Sequence, residues 1–314
     1  MSRILITGIT GQDGSYLAEA LIREGHEVHG TALHSGEAVA GATLHELDLA
    51  QPGIGALVAR LRPDEVYNLA AISSVYGSWQ QPVATAAING MAVAELLGAA
   101  RDLTQGGHEV RIVQASSAEI FGSAAESPQT ERTPIRPSSP YGAAKAYAHA
   151  LAGVYRGAGV WAATCILYNH ESPRRPESFV TAKITAGAAR IALGIQERLE
   201  LGNLAARRDW GWAPDYVEAM RLAARAEEPD DYIVATGVDH SVEDFVATAF
   251  ARVGLPDWRA HVTVSDDLLR PGDAALQVGD ATKARERLGW HPTKDFESIV
   301  AAMVDADLAR FSGS

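Results

Sequence analysis

Four side chains near the middle of the chain have the types and spacing of a hydride-transfer site with an added base. Tyr141 and Lys145 lie four residues apart in Ser-Pro-Tyr-Gly-Ala-Ala-Lys (139–145), so a helix would place them on one face. A neighbouring ammonium favours the phenolate, and we expect it to lower the pKa of Tyr141 so that the phenol can exchange protons. Ser117, which lies upstream, could hydrogen-bond the reacting hydroxyl. Together these residues predict hydride exchange between an alcohol carbon and a nicotinamide.

Glu119 predicts a second chemical event, because hydride transfer itself needs no carboxylate. It lies in Gln-Ala-Ser-Ser-Ala-Glu-Ile-Phe-Gly (114–122), two residues after Ser117. A carboxylate beside a newly formed ketone could remove the proton from the adjacent carbon, and elimination would follow. Loop carboxylates are more often simply solvated, so the local sequence alone leaves both interpretations open.

Alternating strands and helices would have to hold these side chains at one edge of a sheet. Apolar runs predict strands at Arg3–Thr7, His26–Thr31, Thr43–Leu47, Glu65–Leu69, Arg111–Ser116 and Trp161–Leu167. The stretches between them predict helices at Gly14–Glu24, Ile54–Leu61, Pro82–Arg101 and Pro140–Tyr155. This alternation predicts an α/β fold with a Rossmann-like, doubly wound parallel sheet over residues 1–168.

The regular alternation of strands and helices ends after residue 168. Prolines break up shorter helices, and strand-like runs remain only at Tyr232–Thr236 and Ala260–Val264. We therefore expect residues 169–314 to form a smaller α+β lobe that binds substrate, covers the carboxyl edge of the sheet and returns some segments to the first domain.

A glycine-rich turn predicts where a dinucleotide would bind. Gly8, Gly11 and Gly14 follow the first strand and open the first helix, so the chain can approach a pyrophosphate at the helix N-terminus. An acidic residue ending the second strand would favour NAD and a nearby arginine would favour NADP, but Gly30–Ser35 contains neither. Two later strand ends are expected to meet the adenine edge and the cofactor ribose, namely Asp48-Leu49 and Asn68-Leu69-Ala70-Ala71.

Composition and charge exclude several classes of function. The net charge is −12, from 27 Lys and Arg against 39 Asp and Glu, which argues against a protein that coats nucleic acid. Cys165 is the single cysteine, so intrachain disulfides and cysteine-based zinc sites are excluded, and His26 and His29 do not predict a metal site. No apolar signal segment opens the chain, and no apolar run approaches the ~18 residues of a membrane span. We expect a cytoplasmic protein without nucleic-acid, membrane or metal partners.

Several longer runs carry a resemblance to a known family. They are Leu-Ile-Thr-Gly-Ile-Thr-Gly-Gln-Asp-Gly-Ser-Tyr-Leu-Ala (5–18), the two runs 114–119 and 139–145, Asn-His-Glu-Ser-Pro-Arg-Arg (169–175), Leu-Gly-Asn-Leu-Ala-Ala-Arg-Arg-Asp-Trp-Gly (201–211), Asp-Tyr-Val-Glu-Ala-Met (215–220), Arg270-Pro271 and Gly-Asp-Ala-Thr-Lys-Ala (279–284). With these motifs the chain resembles the GDP-mannose 4,6-dehydratase family of extended short-chain dehydrogenases/reductases. The resemblance covers nearly the whole chain, and the run 169–175 is highly specific.

The resemblance implies roles for residues that match the family's motifs. The implied catalytic residues are Ser117, Glu119, Tyr141 and Lys145. The implied cofactor contacts are Gly8, Thr10, Gly11, Gln12, Asp13, Gly14, Asp48, Leu49, Leu69, Ala70, Ala71, Ser73, Thr85, Tyr141, Lys145, His170 and Arg175. The implied substrate contacts are Ser117, Glu119, Asn169, Lys183, Arg208 and Arg270, whereas Arg207 is expected to face solvent.

The reaction that the resemblance implies removes water from a nucleotide-diphosphate sugar. Tyr141 takes the proton of the hydroxyl on sugar carbon 4, hydride leaves that carbon, Glu119 removes the proton from carbon 5, and water leaves carbon 6. The hydride then returns to carbon 6, so GDP-mannose would give a 4-keto-6-deoxy sugar. GDP-heptose or another nucleotide hexose stays open as substrate. Simple reduction or epimerisation is disfavoured by Glu119, and a non-catalytic dinucleotide sensor by the intact Ser117, Tyr141 and Lys145.

One departure from the family pattern bears on assembly and cofactor. The family carries an arginine-rich segment between the second and third strands that reaches a neighbouring subunit's cofactor site and supports a tetramer. Here Leu33–Thr43 spans that gap with no Arg. We therefore expect a homodimer instead of that tetramer. We also expect NADP as the cofactor, with a weakened preference for NADP over NAD, so that NAD is possible.

Overall fold

Parallel strands form the platform on which the candidate site lies. The computed structural model describes residues 1–34, 39–268 and 275–313. Its strands are β1 (Arg3–Thr7), β2 (Glu27–Ala32), β3 (Thr43–Glu46), β4 (Glu65–Asn68), β5 (Arg111–Ser117), β6 (Ala162–Leu167), β7 (Asn169–Glu171), β8 (Leu199–Leu201), β9 (Arg207–Trp212), β10 (Asp231–Val234), β11 (Asp239–Ser241), β12 (Val262–Val264) and β13 (Leu276–Gln277).

The main sheet contains seven of these strands in the order β10-β6-β5-β4-β1-β2-β3, and each neighbouring pair is parallel. The chain runs outward from β1 to β3 and then crosses to β4 on the other side of β1. The order therefore reverses between β1 and β4, and ligands of such sheets bind outside the carboxyl ends at this point.

Helices cover both faces of the main sheet. The helices of the described residues are α1 (Gln12–Arg23), α2 (Ile54–Leu61), α3 (Val75–Gln80), α4 (Pro82–Ala86), α5 (Ala92–Gln105), α6 (Pro140–Gly157), α7 (Val180–Ala192), α8 (Ala213–Ala224), α9 (Val242–Arg252), α10 (Thr282–Leu288) and α11 (Phe296–Ser312). Of these, α7, α9 and α11 pack together in the second lobe. Apolar residues of α1 and α8 share one buried cluster with the sheet, and those of α2, α5 and α6 share another. This arrangement confirms the predicted α/β, Rossmann-like, doubly wound fold.

Two elements that follow residue 168 belong to the main sheet and the helices that cover it. β10 pairs with β6 as an edge strand of the main sheet, and α8 packs beside α1. The boundary that we placed at residue 168 stays a prediction.

A second hydrophobic core surrounds β9. The rings of Trp210 on β9, Phe245 on α9 and Phe296 on α11 are neighbours, and the Trp210 and Phe245 centroids lie 5.3 Å apart in an edge-on contact. β9 also pairs with β7, β11 and β13. These contacts hold β9 rigidly, and β9 carries Arg208 toward the main sheet.

The prediction that only two strand-like runs follow residue 168 was wrong. β7, β8, β9, β11 and β13 are two to six residues long. Their sequences, such as Arg-Arg-Asp-Trp-Gly-Trp in β9, lack the alternation of apolar and polar residues by which strands are recognised. They are strands because of their pairing: β7, β11 and β13 pair with β9, and β8 pairs with β12.

One helical stretch of the described residues, Pro82–Gln105, is apolar and long enough to cross a membrane by length and composition. We expected no such stretch from the sequence. Its second half is α5, which buries Val93, Leu96 and Leu97 in the same cluster as α2. The apolar composition therefore serves the packing of a sheet-covering helix.

Candidate active site

The turn between β1 and α1 approaches its neighbours so closely that it requires glycine. Gly8 has φ +67°, and a Cβ at this position would lie 2.8 Å from Ala70 Cα. A Cβ at Gly14 would lie 2.3 Å from the Gly8 carbonyl oxygen. Thr7 Oγ1 accepts hydrogen bonds from the backbone N–H groups of Leu69 and Ala70 at 3.0 and 3.1 Å, so the ends of β1 and β4 form one rigid floor.

A cleft of about 560 Å³ opens at the carboxyl ends of the main sheet, beside this turn. It brings together most of the residues named from the sequence: Gly8, Thr10, Gly11, Gln12, Asp13, Gly14, Asp48, Leu49, Leu69, Ala70, Ala71, Ser73, Ser117, Glu119, Tyr141, Lys145, Asn169, His170, Arg175 and Arg208.

Three of the named residues are not among those that line the cleft. Thr85 is fully buried in α4, where its hydroxyl donates to the Gln81 carbonyl oxygen at 2.8 Å. Lys183 lies on α7, outside the lining. Arg270 lies outside the described residues, as do residues 35–38 of the segment without Arg. Contacts of these residues with ligands stay predictions.

Lys145 is fixed by a polar chain that runs across the strand ends. Its Nζ is buried and donates to the Ala115 carbonyl oxygen at 2.8 Å, and burial lowers the pKa of this lysine to about 8. The same carbonyl accepts from Gln114 Nε2 at 2.9 Å, and Gln114 Oε1 accepts from Asn68 Nδ2 at 2.8 Å. The ammonium therefore has one defined position, 5.9 Å from the centroid of the Tyr141 ring.

Tyr141 opens α6, which starts at a Ser139 cap: the Gly142 N–H donates to Ser139 Oγ at 3.0 Å. Burial raises the pKa of Tyr141 to about 12, although a hydrogen bond with Ser117 acts in the opposite direction. The expectation that Lys145 lowers the pKa of this phenol is therefore not met, because burial outweighs the favourable neighbours. Tyr141 is neutral at physiological pH in this arrangement.

Glu119 lies in a single 3₁₀ turn, Ala118–Ile120, directly after β5. Its backbone N–H donates to Ser117 Oγ at 3.2 Å, and its Oε1 accepts from Gln277 Nε2 at 3.3 Å. A Cβ at Gly142 would lie 2.5 Å from the Glu119 carbonyl oxygen, so only glycine lets α6 pack against this turn. The Glu119 carboxylate and the Tyr141 phenol are thereby brought into the same cleft, where the negative charge of Glu119 raises the pKa of Tyr141.

The run 169–175 joins the second lobe to the start of α1. His170 Nε2 and Asp13 Oδ2 are 2.9 Å apart, and His170 Nδ1 contacts the Tyr168 carbonyl oxygen at 2.7 Å. Burial alone would raise the pKa of Asp13 and lower that of His170. Their mutual attraction and hydrogen bond outweigh burial, so the pKa of Asp13 is lowered and that of His170 is raised. Gln12 Nε2 also donates to the His170 carbonyl oxygen at 3.1 Å.

Two neighbouring arginines of β9 have different surroundings. Arg208 is buried, lines the cleft and donates to the Arg207 carbonyl oxygen at 2.8 Å. Arg207 is exposed and forms an ion pair with Asp239. Asn169 and Arg175 also line the cleft, and Arg175 Nε lies 3.2 Å from Glu171 Oε2.

Three residues near the reacting groups were not identified from the sequence. Ser78 Oγ accepts from the Tyr141 N–H at 3.2 Å, Gly142 provides the close approach to Glu119, and Gln277 contacts its carboxylate. Gly142 lies inside a quoted motif and could have been noticed there. Ser78 lies far from the motifs in sequence. Gln277 lies two residues before the run 279–284, but no local pattern marks either residue.

Comparisons with known proteins identify the family and agree with the fold. A family model described as GDP-mannose 4,6 dehydratase matches residues 5–303. The chain is 46% identical to GDP-mannose 4,6 dehydratase 2 of Arabidopsis thaliana, over 97% of this chain and 86% of that protein. It is 41% identical to the GDP-mannose 4,6 dehydratase of Homo sapiens, over 97% of this chain and 91% of that protein.

Solved structures show the same architecture. The UDP-glucose 4-epimerase of Thermus thermophilus, solved in complex with NAD, aligns with a TM-score of 0.84 and 27% identity, covering 97% of this chain and 98% of that chain. The long match of the family model and the identity to full-length relatives lead to one conclusion: the chain belongs to the GDP-mannose 4,6-dehydratase family, whose members are hydro-lyases of the extended short-chain dehydrogenase/reductase type.

Proposed function

We propose that this protein converts GDP-mannose to GDP-4-keto-6-deoxymannose. The observation that carries the proposal is the meeting of Glu119 with Ser117, Tyr141 and Lys145 in one cleft at the carboxyl edge of the sheet. A simple reductase or epimerase would need the last three residues only. A carboxylate held beside them provides the base that elimination of water requires.

The glycine turn and the cleft fit a nicotinamide dinucleotide. Gly8 and Gly14 leave no space for a Cβ, so the backbone of Gly11–Gly14 would hold the pyrophosphate at the start of α1. Asp48 and Leu49 would meet the adenine, and Leu69 to Ser73 the ribose. When bound, the dinucleotide supplies a hydride acceptor for sugar carbon 4 and gives the same hydride back at carbon 6.

NADP is the dinucleotide that we propose, with NAD as the alternative. The cationic side chains of the described cleft lining, histidines aside, are Lys145, Arg175 and Arg208. None of them belongs to the segments that end β2 and β3, where an arginine would meet a 2′-phosphate. We therefore expect a modest preference between the two dinucleotides.

Tyr141 and its neighbours handle the proton of the carbon 4 hydroxyl. Because burial holds the pKa of Tyr141 near 12, only the minor phenolate form, whose own proton has gone to solvent, can take the hydroxyl proton, and its negative charge needs a cation close by. Lys145 is the cation that the chain supplies, since a pKa of about 8 leaves it largely protonated at neutral pH. Ser117, which hydrogen-bonds Tyr141, would hold the same hydroxyl in position.

Glu119 acts once the ketone exists at carbon 4. The ketone acidifies the hydrogen on carbon 5, Glu119 takes it as a proton, and the electron pair forms the bond between carbons 5 and 6. The hydroxide that leaves carbon 6 takes up the proton released from the carbon 4 hydroxyl and departs as water. Glu119 then returns its proton to carbon 5, so one water is lost and no net oxidation occurs.

The product distinguishes this reaction from its rivals. The purified protein is denatured and its released dinucleotide is identified, and native protein is then incubated with GDP-mannose and the product is weighed by mass spectrometry. Loss of one water is expected. A mass change of two hydrogens would identify simple redox chemistry, and an unchanged mass would identify an epimerase or a sensor. Parallel incubation with GDP-heptose tests the alternative sugar.

We also infer that the protein is a homodimer. Large apolar side chains are exposed on α3, α4, α6 and the helical turn before α5: Tyr76, Trp79, Val83, Met91, Tyr147 and Val154. The helices that carry them are neighbours, since a Cβ at Gly90 would lie 3.2 Å from the Tyr147 ring. A second copy of the chain would cover this apolar face. Light scattering should give the dimer mass, and a stable tetramer would contradict the inference.

A cytoplasmic location is part of the proposal. The only cysteine, Cys165, is a buried free thiol, as expected for a protein of a reducing compartment. Fractionation of the source cells should recover the protein with soluble cytoplasmic markers, and recovery in the membrane pellet would contradict this location.

A further inference from the structure

Gln277 reaches the proposed base from the second lobe. Its Nε2 donates to Glu119 Oε1 at 3.3 Å, although 158 residues separate the two in sequence. The side chain is only 2% exposed. It therefore approaches the carboxylate from behind the cleft, whose lining includes Glu119 and not Gln277.

The backbone around Gln277 leaves the amide little freedom to move. β13 pairs with β9, where Gln277 is the register partner of Arg208. On the next residues, the Val278 carbonyl oxygen accepts from the Gln129 N–H at 2.7 Å. A Cβ at Gly279 would lie 2.6 to 2.8 Å from atoms of Ala235, Tyr168 and Ile233, so the chain directly after β13 is tightly packed.

The other end of the same amide is unsatisfied. Gln277 Oε1 is buried and has no hydrogen-bond partner among the described residues. A buried acceptor without a partner destabilises the folded state, and a leucine of similar size would avoid that penalty. Packing alone therefore does not account for an amide at this position, whereas its N–H makes a defined contact with Glu119. An ionised carboxylate only accepts hydrogen bonds, so donation from Nε2 matches the base form of Glu119.

We propose that Gln277 is a positioning residue for the elimination step: its N–H holds Oε1 of Glu119, keeps the carboxylate ionised and fixes the direction from which it meets carbon 5. This inference rests on the proposed function, because it acts through the base of that reaction. It assigns to the second lobe a part in proton abstraction as well as in binding.

The test uses Gln277→Leu, with Leu276→Ala as a matched control on the same short strand. Leu276 points the opposite way and is partly exposed. Three quantities are measured for each protein: the unfolding temperature, the rate of dinucleotide reduction in a single turnover, and the rate of water loss by product mass. In Gln277→Leu we expect water loss to slow roughly 10-fold, with the reduction rate and unfolding temperature kept.

The pH profile supplies a readout that a merely structural role would not move. Without its donor the ionised form of Glu119 is less favoured, so the acidic limb of the water-loss profile should move to higher pH. Gln277→Glu should move it further, because two carboxyl groups in contact retain a proton. Other ionisable groups of the cleft stay in place in both variants: Asp13, His34, Asp48, Tyr141, Lys145, Tyr168, His170, Arg175 and Arg208.

Two results would overturn the inference. One is an unchanged rate and pH profile of water loss in Gln277→Leu. The other is an equal fall of reduction and water loss together with a lowered unfolding temperature, which marks a structural role. Absence of water loss in the wild-type protein would refute the proposed function itself. The wild-type protein is measured first, so this outcome is distinguished from any effect of the variants.

Discussion

The two walls of the cleft are built differently. The sheet wall takes Ser117, Glu119, Tyr141 and Lys145 from one stretch of chain, placed by β5, a 3₁₀ turn and α6. The lobe wall takes Arg208 from β9, and Gln277 on the paired strand β13 contacts Glu119 from behind the cleft lining. In the proposed reaction the sheet wall would supply the groups that exchange protons, and the lobe would supply groups that bind the substrate and position the base.

The largest effect is expected on the sheet wall, from Tyr141→Phe. In the proposed reaction the phenolate oxygen of Tyr141 takes the carbon 4 proton. The change removes this oxygen and keeps the buried ring, so kcat should fall about 10³-fold with an unchanged unfolding temperature. Single-turnover absorbance of the reduced dinucleotide measures it. Tyr147→Phe, an exposed tyrosine on the same helix, is the control and should retain wild-type activity. Comparable rates in the two variants would remove Tyr141 from the mechanism.

A smaller effect is expected on the lobe wall, from Arg208→Met. If Arg208 contacts the diphosphate, KM should rise about 10- to 100-fold with a lesser change in kcat, because the lost hydrogen bond is to a charged group. Arg207→Met removes the neighbouring charge, whose ion pair is exposed, and should change KM less than about 3-fold. Steady-state kinetics with GDP-mannose compares them. Equal rises in KM for the two variants would show that Arg207 and Arg208 contribute only nonspecific positive charge.

The glycine turn that borders both walls can be tested with a pair of alanine variants. Gly14→Ala should destabilise the folded protein by about 1–3 kcal/mol and empty the dinucleotide site, because the new Cβ would lie 2.3 Å from the Gly8 carbonyl oxygen. Gly153→Ala on α6 meets nothing within 4 Å and should be neutral or stabilise by about 0.5–1 kcal/mol. Urea unfolding and released dinucleotide are measured. Retention of bound dinucleotide by Gly14→Ala would contradict the phosphate-binding role.

The smallest effect concerns the ion pair that joins the two walls. The raised pKa of His170 stabilises the fold below the unfolded value of about 6.5, and this contribution is lost as pH rises through the folded pKa. The lowered pKa of Asp13 stabilises above about 3.9, and its contribution is lost as pH falls through the folded pKa. A double-mutant cycle with Asp13→Asn and His170→Asn measures the coupling between the two side chains in the free energy of unfolding. This coupling should be largest at a pH between about 3.9 and 6.5. A coupling independent of pH would show that no ion pair forms.

The same contrast between the walls explains what could be predicted from the sequence. The strands β1 to β6, the turn at Gly8 and the grouping of Ser117, Tyr141 and Lys145 follow from local patterns, since periodicity and spacing place them on neighbouring elements. The local sequence left the role of Glu119 open, and the family resemblance implied it. β9 and β13 could not be predicted, because their polar residues form strands only through pairing within the lobe. Gln277 contacts Glu119 through that pairing, and the raised pKa of Tyr141 follows from burial, which spacing does not reveal.

The central claim is that Glu119 abstracts the carbon 5 proton after hydride has left carbon 4, and Glu119→Gln tests it most directly. In a single turnover with GDP-mannose, the variant should reduce its bound dinucleotide at a rate near that of the wild type and then stop. Reduced dinucleotide should accumulate, and the product mass should show no loss of water. Full turnover to the dehydrated sugar by Glu119→Gln would contradict the account.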